Sequence, residues 1–231
     1  MMIHITKYLV SCVLLITACG SAMAQQVKGV TPEFAALIKQ CAPSVHPETM
    51  AAVISAESRG HKFAIADAGP KHLPWSKRKH LVRSYYMKSA DSAVALATSL
   101  IANGHTVSLG PAQVNDRNLA AYGITVREVF NPCTNVRVGG EILTKFYVKA
   151  VREFGPGAKA MRATLSAYNS GSWVRGEKDG YVTLVFNQLQ RPLSLKEGGG
   201  TDPAPKRSIQ NKNIVVARSF GMSSVEFVIE E

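Results

Sequence analysis

The sequence lacks several features that would define a class of protein at once. No apolar run approaches the roughly 20 residues that a transmembrane helix needs. No cluster of Cys and His has the spacing of a metal site. Aromatic residues make up only 7% of the 231 residues, no internal repeat is visible, and residues 31–190 show no alternating strand pattern. These absences leave a soluble globular protein with one main domain, in which helices dominate.

Acidic residues are also scarce, since 16 Asp and Glu stand against 27 Lys and Arg. The net charge of +11 falls only to about +10 without the first 24 residues, which contain one Lys and no acid. Such a charge favours polyanionic partners. No nucleic-acid-binding motif accompanies it. We therefore expect wall or lipid anions as partners, and no nucleic acid.

The N-terminus has the layout of a secretory signal peptide. A short segment with Lys7 precedes an apolar run over residues 8–18, and residues 22–24 (Ala-Met-Ala) fit a small-x-small cleavage site. We expect residues 1–24 to be removed and the mature protein to be periplasmic. The alternative is cleavage before Cys19, which ends a lipobox-like sequence and would leave a lipid anchor in the inner or outer membrane.

Two cysteines, Cys41 and Cys133, remain after the predicted cleavage. An even number of cysteines in an oxidising compartment suggests one disulfide, which here would close a loop of about 90 residues. Two buried free thiols are the alternative.

Helix-start and helix-stop residues divide the middle of the chain into consecutive helices. Thr31, Ser89 and Asn131 are suitable N-caps, and Gly or Pro follows several predicted ends. The predicted helices cover residues 31–40, 47–58, 89–103, 131–154, 158–168 and 181–190.

Two segments differ in composition from these helices. Residues 71–88 hold six Lys or Arg, two His and no acid. They predict a solvated loop or frayed helix, or alternatively a basic rim that contacts wall anions or a partner. Residues 191–231 begin with a linker rich in Gly and Pro and continue with short β-prone runs at 214–217 and 225–229. We expect a flexible tail that orders as a strand on a partner, with a hairpin as the alternative.

Glu57 is the candidate for acid–base chemistry. On the predicted helix 47–58, Met50, Val53 and Ile54 form an apolar stripe, and Glu57 takes its next position. Burial of a carboxyl group raises its pKa, which suits a general acid at neutral pH. The alternative is a Glu in the last turn that points to solvent.

Further motifs follow the pair Glu57-Ser58 in order. They are Gly-Pro-Ala-Gln-Val-Asn at 110–115, Asn-Pro-Cys-Thr-Asn at 131–135 and Ala-Tyr-Asn at 167–169. In order and spacing, this set resembles the soluble lytic transglycosylase family, and most of all the branch that accompanies type IV secretion and conjugation machines. The resemblance covers residues 35–190. It implies a compact helical domain like goose-type lysozyme, all-α within the α+β lysozyme-like superfamily, over residues 25–190.

The resemblance also implies a role for individual positions. Glu57 matches the catalytic acid/base, and Tyr168 matches a residue that helps to position it. Cys41 and Cys133 match a cysteine pair of this branch. The residues implied to support the site or bind substrate are Ser58, Gln113, Asn115, Tyr168 and Asn169. Read without the resemblance, Gln113 and Asn115 are equally compatible with turn and cap roles, and Tyr168 with an ordinary core position.

The implied reaction cleaves the MurNAc–GlcNAc bond of peptidoglycan and closes a 1,6-anhydro ring, with one carboxylate and without a metal or organic cofactor. A monomer of this kind would open the wall locally for a secretion apparatus and contact its components through the tail. One alternative is a hydrolytic muramidase with Asp67 as second carboxylate. Another is a weakly active, wall-binding scaffold of the secretion machine.

The turn at 110–113 departs from the family, in which Gly-Leu-Met-Gln or Gly-Leu-Gly-Gln is common. Pro111 fixes φ and removes an N–H group, and Ala112 is expected to shorten an apolar wall of the cleft. Sugar-binding geometry is therefore expected to differ at this turn.

Overall fold

A computed structural model describes residues 30–189, 191 and 193–196. The predicted signal peptide with Cys19, and the tail beyond residue 196 with its two β-prone runs, lie outside these residues. The helices are α1 (Pro32–Cys41), α2 (Pro47–Ser58), α3 (Trp75–Arg78), α4 (Ala90–Ala102), α5 (Pro132–Phe154), α6 (Ala158–Ser170), α7 (Arg175–Lys178) and α8 (Tyr181–Gln188).

Three of the predicted helix starts carry side-chain caps. The hydroxyl of Thr31 accepts a hydrogen bond from the N–H of Phe34, and Asn131 caps α5 in the same way. Ser89 forms a reciprocal capping box with Ser92 at the start of α4. Each cap satisfies an N–H group that has no partner within the helix. Helices α2, α6 and α8 lack a side-chain cap, and all six predicted helices begin within a residue of their predicted positions.

Four strands form an antiparallel sheet that the sequence analysis did not predict. They are β1 (Ala64–Pro70), β2 (Arg83–Tyr86), β3 (His105–Leu109) and β4 (Val114–Asn115), in the order β2-β1-β3-β4. The sequence of β1 (Ala-Ile-Ala-Asp-Ala-Gly-Pro) consists mostly of residues that are rare in strands. Its alternation of buried and part-buried positions involves small side chains, so no hydrophobic period is visible. The segment 71–88 contains α3 and β2 and is therefore not merely a loop.

The fold is the expected helix-dominated, lysozyme-like domain, with two apolar clusters. One cluster lies among α1, α2, α5, α6 and α8, and the other lies between the sheet and α4. Helix α5 contributes to both, since Leu143 belongs to the first and Val138 to the second. Helix α5 thus joins the helical part of the domain to the part built on the sheet, and a cleft can form between these two parts. In the described part of the chain, no helix has the length and apolar character to cross a membrane.

The predicted disulfide is present. It joins Cys41 at the end of α1 to Cys133 at the start of α5, with 5.3 Å between the Cα atoms and 92 positions between the two residues. A bridge that closes a loop of this length contributes about 2–4 kcal/mol to stability.

Residues 193–196 pack against the domain, beyond the boundary that composition predicts at residue 190. Leu193 is buried and pairs with Val30 in a β-bridge, and Lys196 pairs with His61. The N–H of Lys196 donates to the carbonyl of Gly60 at 2.8 Å, directly after the end of α2. Burial lowers the pKa of His61, and the charge of Lys196 lowers it further. The folded domain therefore includes the start of the region that was assigned to the linker.

We predict that Leu193→Ala lowers the free energy of unfolding by about 2–4 kcal/mol, because it leaves a cavity beside Val30 and α1. Ser194→Ala, at an exposed position of the same segment, should change it by less than about 0.5 kcal/mol. Denaturant unfolding of the oxidised protein measures both. Equal stability of the two variants would contradict the packing of residues 193–196.

Candidate active site

A cleft of about 910 Å³ opens between the sheet and the helices. Among the predicted site residues, those that line it are Glu57, Gln113, Asn115, Tyr168 and Asn169. Ser58 is buried beneath the cleft and is only 1% exposed. The structure thus brings together side chains from three motifs that are far apart in the sequence.

Glu57 lies near the end of α2, half-buried at the cleft wall. The hydroxyl of Tyr181 donates a hydrogen bond to its Oε1 at 2.6 Å. Tyr181 is the first residue of α8 and is itself buried, so its hydroxyl is held in place by the core. Sequence reasoning missed Tyr181, because a single Tyr 124 positions from its partner belongs to no local pattern.

The turn after β3 is held by side chains through its backbone carbonyls. The carbonyl of Pro111 accepts from Oγ of Ser58, and that of Ala112 accepts from the hydroxyl of Tyr168, both at 2.7 Å. The carbonyl of Gly110 accepts from Nε2 of Gln113 at 2.8 Å. Ser58 and Tyr168 therefore connect α2 and α6 to the same turn.

Asn135 completes this arrangement from α5. It is fully buried; its Oδ1 accepts from the N–H of Ala112 at 2.7 Å, and its Nδ2 donates to the carbonyls of Leu109 and Val129 at 2.8 and 2.9 Å. Asn135 ends the Asn-Pro-Cys-Thr-Asn motif, and no role for it is predicted from the sequence. Its three partners are backbone groups outside the motif, two of them more than 20 positions away, and nothing in the motif indicates them.

The departure at Pro111 and Ala112 is accommodated by this scaffold. Ala112 is fully buried and does not line the cleft, so the expectation that it shortens the cleft wall is wrong. A Cβ on Gly139 of α5 would lie 2.6 Å from Cβ of Ala112, which shows how closely the turn approaches the helix. Pro111 enters the scaffold through its carbonyl, and its missing N–H is not needed.

Gln113 and Asn115 are turn and cap residues and also line the cleft, two roles that the sequence alone left open. Gln113 has a left-handed backbone, with φ at 50°, and closes the turn through its side chain. Oδ1 of Asn115 accepts from the N–H of Arg117 at 3.2 Å and so caps a short 3-10 helix. Both side chains also line the cleft. They are turn and cap residues that face the space where substrate would lie.

Tyr168 is coupled electrostatically to Glu57. Burial raises the pKa of Tyr168 well above its ordinary value, and the charges of Glu57 and Tyr122 raise it further. The phenol therefore stays protonated and remains a donor to the turn at any physiological pH. Tyr168 touches the backbone of the turn and shares the cleft wall with Glu57.

Asp67 is not placed as a second carboxylate. It is 3% exposed, does not line the cleft, accepts from the N–H of Gly69 and pairs with Nδ1 of His105 at 2.9 Å. Asp116 accepts from Thr106 and Val107 on β3, in addition to its ion pair with Lys71. Both aspartates thus support the sheet. Within residues 30–196, as far as they are described, no group of His, Cys, Asp and Glu could hold a metal ion.

Comparison with known proteins agrees with this geometry. The family model for the transglycosylase SLT domain matches residues 34–182, which include Glu57, the turn and Tyr181. The chain belongs to this family. Its helical core, sheet and cleft are therefore those of an SLT domain.

Several curated relatives are named type IV secretion system protein virB1, and others are named protein virB1. The chain is 40% identical over 147 residues to the type IV secretion system protein virB1 of Brucella abortus (strain 2308), which covers 63% of this chain and 57% of the relative. It is 28% identical over 190 residues to the protein virB1 of Agrobacterium fabrum, covering 80% of this chain and 71% of that protein. The match thus spans little more than half of the Brucella relative. No solved structure gives a significant match.

We predict that Asn135→Ala lowers the free energy of unfolding by about 3 kcal/mol or more, because three buried backbone groups lose their partner. Asn103→Ala, at the exposed end of α4, is the matched control and should cost about 1 kcal/mol or less. Denaturant unfolding measures both. Similar losses for the two variants would mean that the hydrogen bonds of Asn135 contribute little to the free energy of unfolding.

Proposed function

We propose that the protein is a periplasmic lytic transglycosylase that cleaves the MurNAc–GlcNAc bond of peptidoglycan and releases 1,6-anhydromuropeptides. The observation that supports this most directly is the carboxyl of Glu57, half-buried in the cleft and held by Tyr181. Asp67 is buried and does not line the cleft, which favours a reaction that uses one carboxylate over a two-carboxylate hydrolysis.

One carboxyl group can serve both halves of this reaction. Protonated Glu57 gives its proton to the glycosidic oxygen as the bond to the anomeric carbon breaks. The N-acetyl group of the sugar and the dipoles of the cleft stabilise the positive centre. The carboxylate then takes the proton of the C6 hydroxyl, whose oxygen bonds to the anomeric carbon. No water is consumed, and Glu57 ends as it began.

The remaining side chains would hold this geometry. Tyr181 fixes the orientation of the carboxyl through its short hydrogen bond. Ser58 and Tyr168 fix the turn that carries Gln113, whose side chain, with those of Asn115 and Asn169, faces the glycan. Positioning of this kind accounts for a large share of enzymatic rate acceleration.

The cellular role in this proposal rests on the N-terminal sequence and on the names of the relatives. A signal peptide over residues 1–24 would export the chain, with a lipid anchor at Cys19 as the alternative. The monomeric enzyme would open the wall locally for a type IV secretion or conjugation apparatus, and residues 197–231 would contact its components.

We predict that Glu57→Gln abolishes release of anhydro-muropeptides from purified sacculi, since the amide can neither give nor take the proton. Mass spectrometry of the soluble products measures this. The matched control is Asp67→Asn, which should retain the anhydro product because Asp67 lies outside the cleft lining.

Two outcomes would contradict the proposed chemistry. Release of anhydro products by a folded Glu57→Gln variant would remove Glu57 from its role. Hydrolysis by the unchanged protein would give products with a reducing end and the mass of an added water. If these products were lost in Asp67→Asn, Asp67 would be the second carboxylate.

We predict that Tyr181→Phe lowers kcat on sacculi by about tenfold or more, because the carboxyl of Glu57 loses the hydroxyl that orients it. The ring remains in the core, so the melting temperature should change little. Tyr147→Phe, another buried tyrosine outside the cleft lining, is the control. Equal rates for both variants would show that the hydrogen bond to Glu57 does not serve the reaction.

A further inference from the structure

Arg78 has an unusual environment for an exposed basic segment. It lies on α3 and lines the cleft, yet its Nε and Nη1 atoms are buried and have no hydrogen-bond partner among the described residues. A buried charged donor without a partner is costly in free energy. Because Arg78 also lines the cleft, its guanidinium can meet an anion that enters there, most of all a planar carboxylate that accepts two hydrogen bonds at once.

The surrounding structure holds Arg78 in place. Its guanidinium carbon lies 5.4 Å from the ring centroid of Trp75, one helical turn earlier on α3. A Cβ on Gly69 of β1 would lie 3.4 Å from Cβ of Arg78, so α3 packs directly on the strand. Lys71, just before α3, pairs with Asp116 at 2.7 Å. The basic segment is therefore built onto the sheet.

The charge of the cleft is suited to anions. The charged residues that line it are the cations Arg78, Lys79, Arg117 and Arg175 and the carboxylates Glu57 and Asp179. Trp75 lines the same rim and is 53% exposed. An exposed indole beside a guanidinium can hold the apolar face of a sugar or peptide while the cation takes its charge.

Strand β1 gives the scale of the cleft. It begins at Ala64, whose carbonyl bonds to the turn beside Ser58, and it reaches α3 at Gly69. Five residues of strand span about 15 Å. The backbone of Arg78 thus lies well away from the turn beside Glu57, on the scale of a neighbouring sugar and its substituents. In an intact strand the lactyl group of each muramoyl residue forms an amide with its stem peptide, so the carboxylates belong to the stem peptides.

We infer that Arg78, next to Trp75, binds a carboxylate of a peptide stem on a muramoyl residue beside the one that is cleaved. The enzyme would then act on strands that carry peptide stems in preference to bare glycan. This inference rests on the proposed function, because it takes the glycan strand as the ligand of the cleft. In this inference, the segment 71–88 selects substrate strands that carry stems.

Direct binding by the full mature chain tests this inference apart from turnover. Every protein carries Glu57→Gln so that strands are not consumed. The probes are soluble glycan strands from sacculi with their stems intact, the same strands after an amidase has removed the stems and left a lactyl carboxylate on each muramoyl residue, and intact strands whose carboxylates have been amidated. Only the amidated strands are free of carboxylates. We expect stem-bearing strands to bind about tenfold more tightly than either of the others.

Adding Arg78→Gln should remove most of this preference and leave the affinity for stripped strands within about twofold. Adding Arg78→Lys, which keeps the charge without the planar fork, should retain part of it and shows that α3 tolerates substitution. Arg152→Gln, an exposed cation at the far end of α5, is the matched control and should retain all of it.

Two results would overturn the inference. Equal loss of affinity for stem-bearing and stripped strands would mean that Arg78 contacts the sugar or its lactyl group and not the stem. An unchanged preference in Arg78→Gln would mean that the stem binds elsewhere. Release of anhydro products by the protein with Glu57 intact is measured separately. If that release is absent while the Arg78 effect persists, the proposed reaction fails and the binding site stands.

Discussion

Four successive backbone carbonyls, those of residues 109–112, accept hydrogen bonds from side chains, and that of Gly110 also accepts from the N–H of Gln113. The donors come from α5, from the turn itself, from α2 and from α6. A buried carbonyl without a partner costs about 1–3 kcal/mol, so the turn takes its shape only when all these elements are in place. The cleft wall that carries Gln113 and the helix that carries Glu57 are thereby fixed to one another.

The predictable part of the structure is the part that is local in sequence. Caps such as Ser89 and Asn131 act on N–H groups two or three residues away, and the helices they begin were predicted. The stripe that ends at Glu57 is local in the same sense. Strand β1 was missed because its small residues lack a hydrophobic period, and its pairing with β2 and β3 is decided by partners 16 to 44 positions away.

In the site, too, the residues within local motifs were predicted and those that act through distant contacts were not. The motif order placed Gln113, Asn115, Tyr168 and Asn169 in one cleft with Glu57. Tyr181 and Asn135 gained no role from the sequence, because each acts through one or more contacts across the fold that no spacing indicates. The basic segment 71–88 was described by its charge alone, whereas the structure shows that Arg78 within it has buried donors without a hydrogen-bond partner among the described residues.

The hydrogen bonds that Ser58, Asn135 and Tyr168 donate to the turn also explain how its sequence can differ from that of its family. These donors bind carbonyl oxygens, and every residue type supplies one, proline included. The side chain at position 111 is therefore free to change as long as it fits, whereas that at position 112 is limited by its burial and by the close approach of Gly139, and its N–H must remain to donate to Asn135. The donors Ser58, Asn135 and Tyr168 have no such freedom, since each must reach one oxygen. Substitutions at the donors should thus disturb the cleft more than the unusual Pro-Ala pair does.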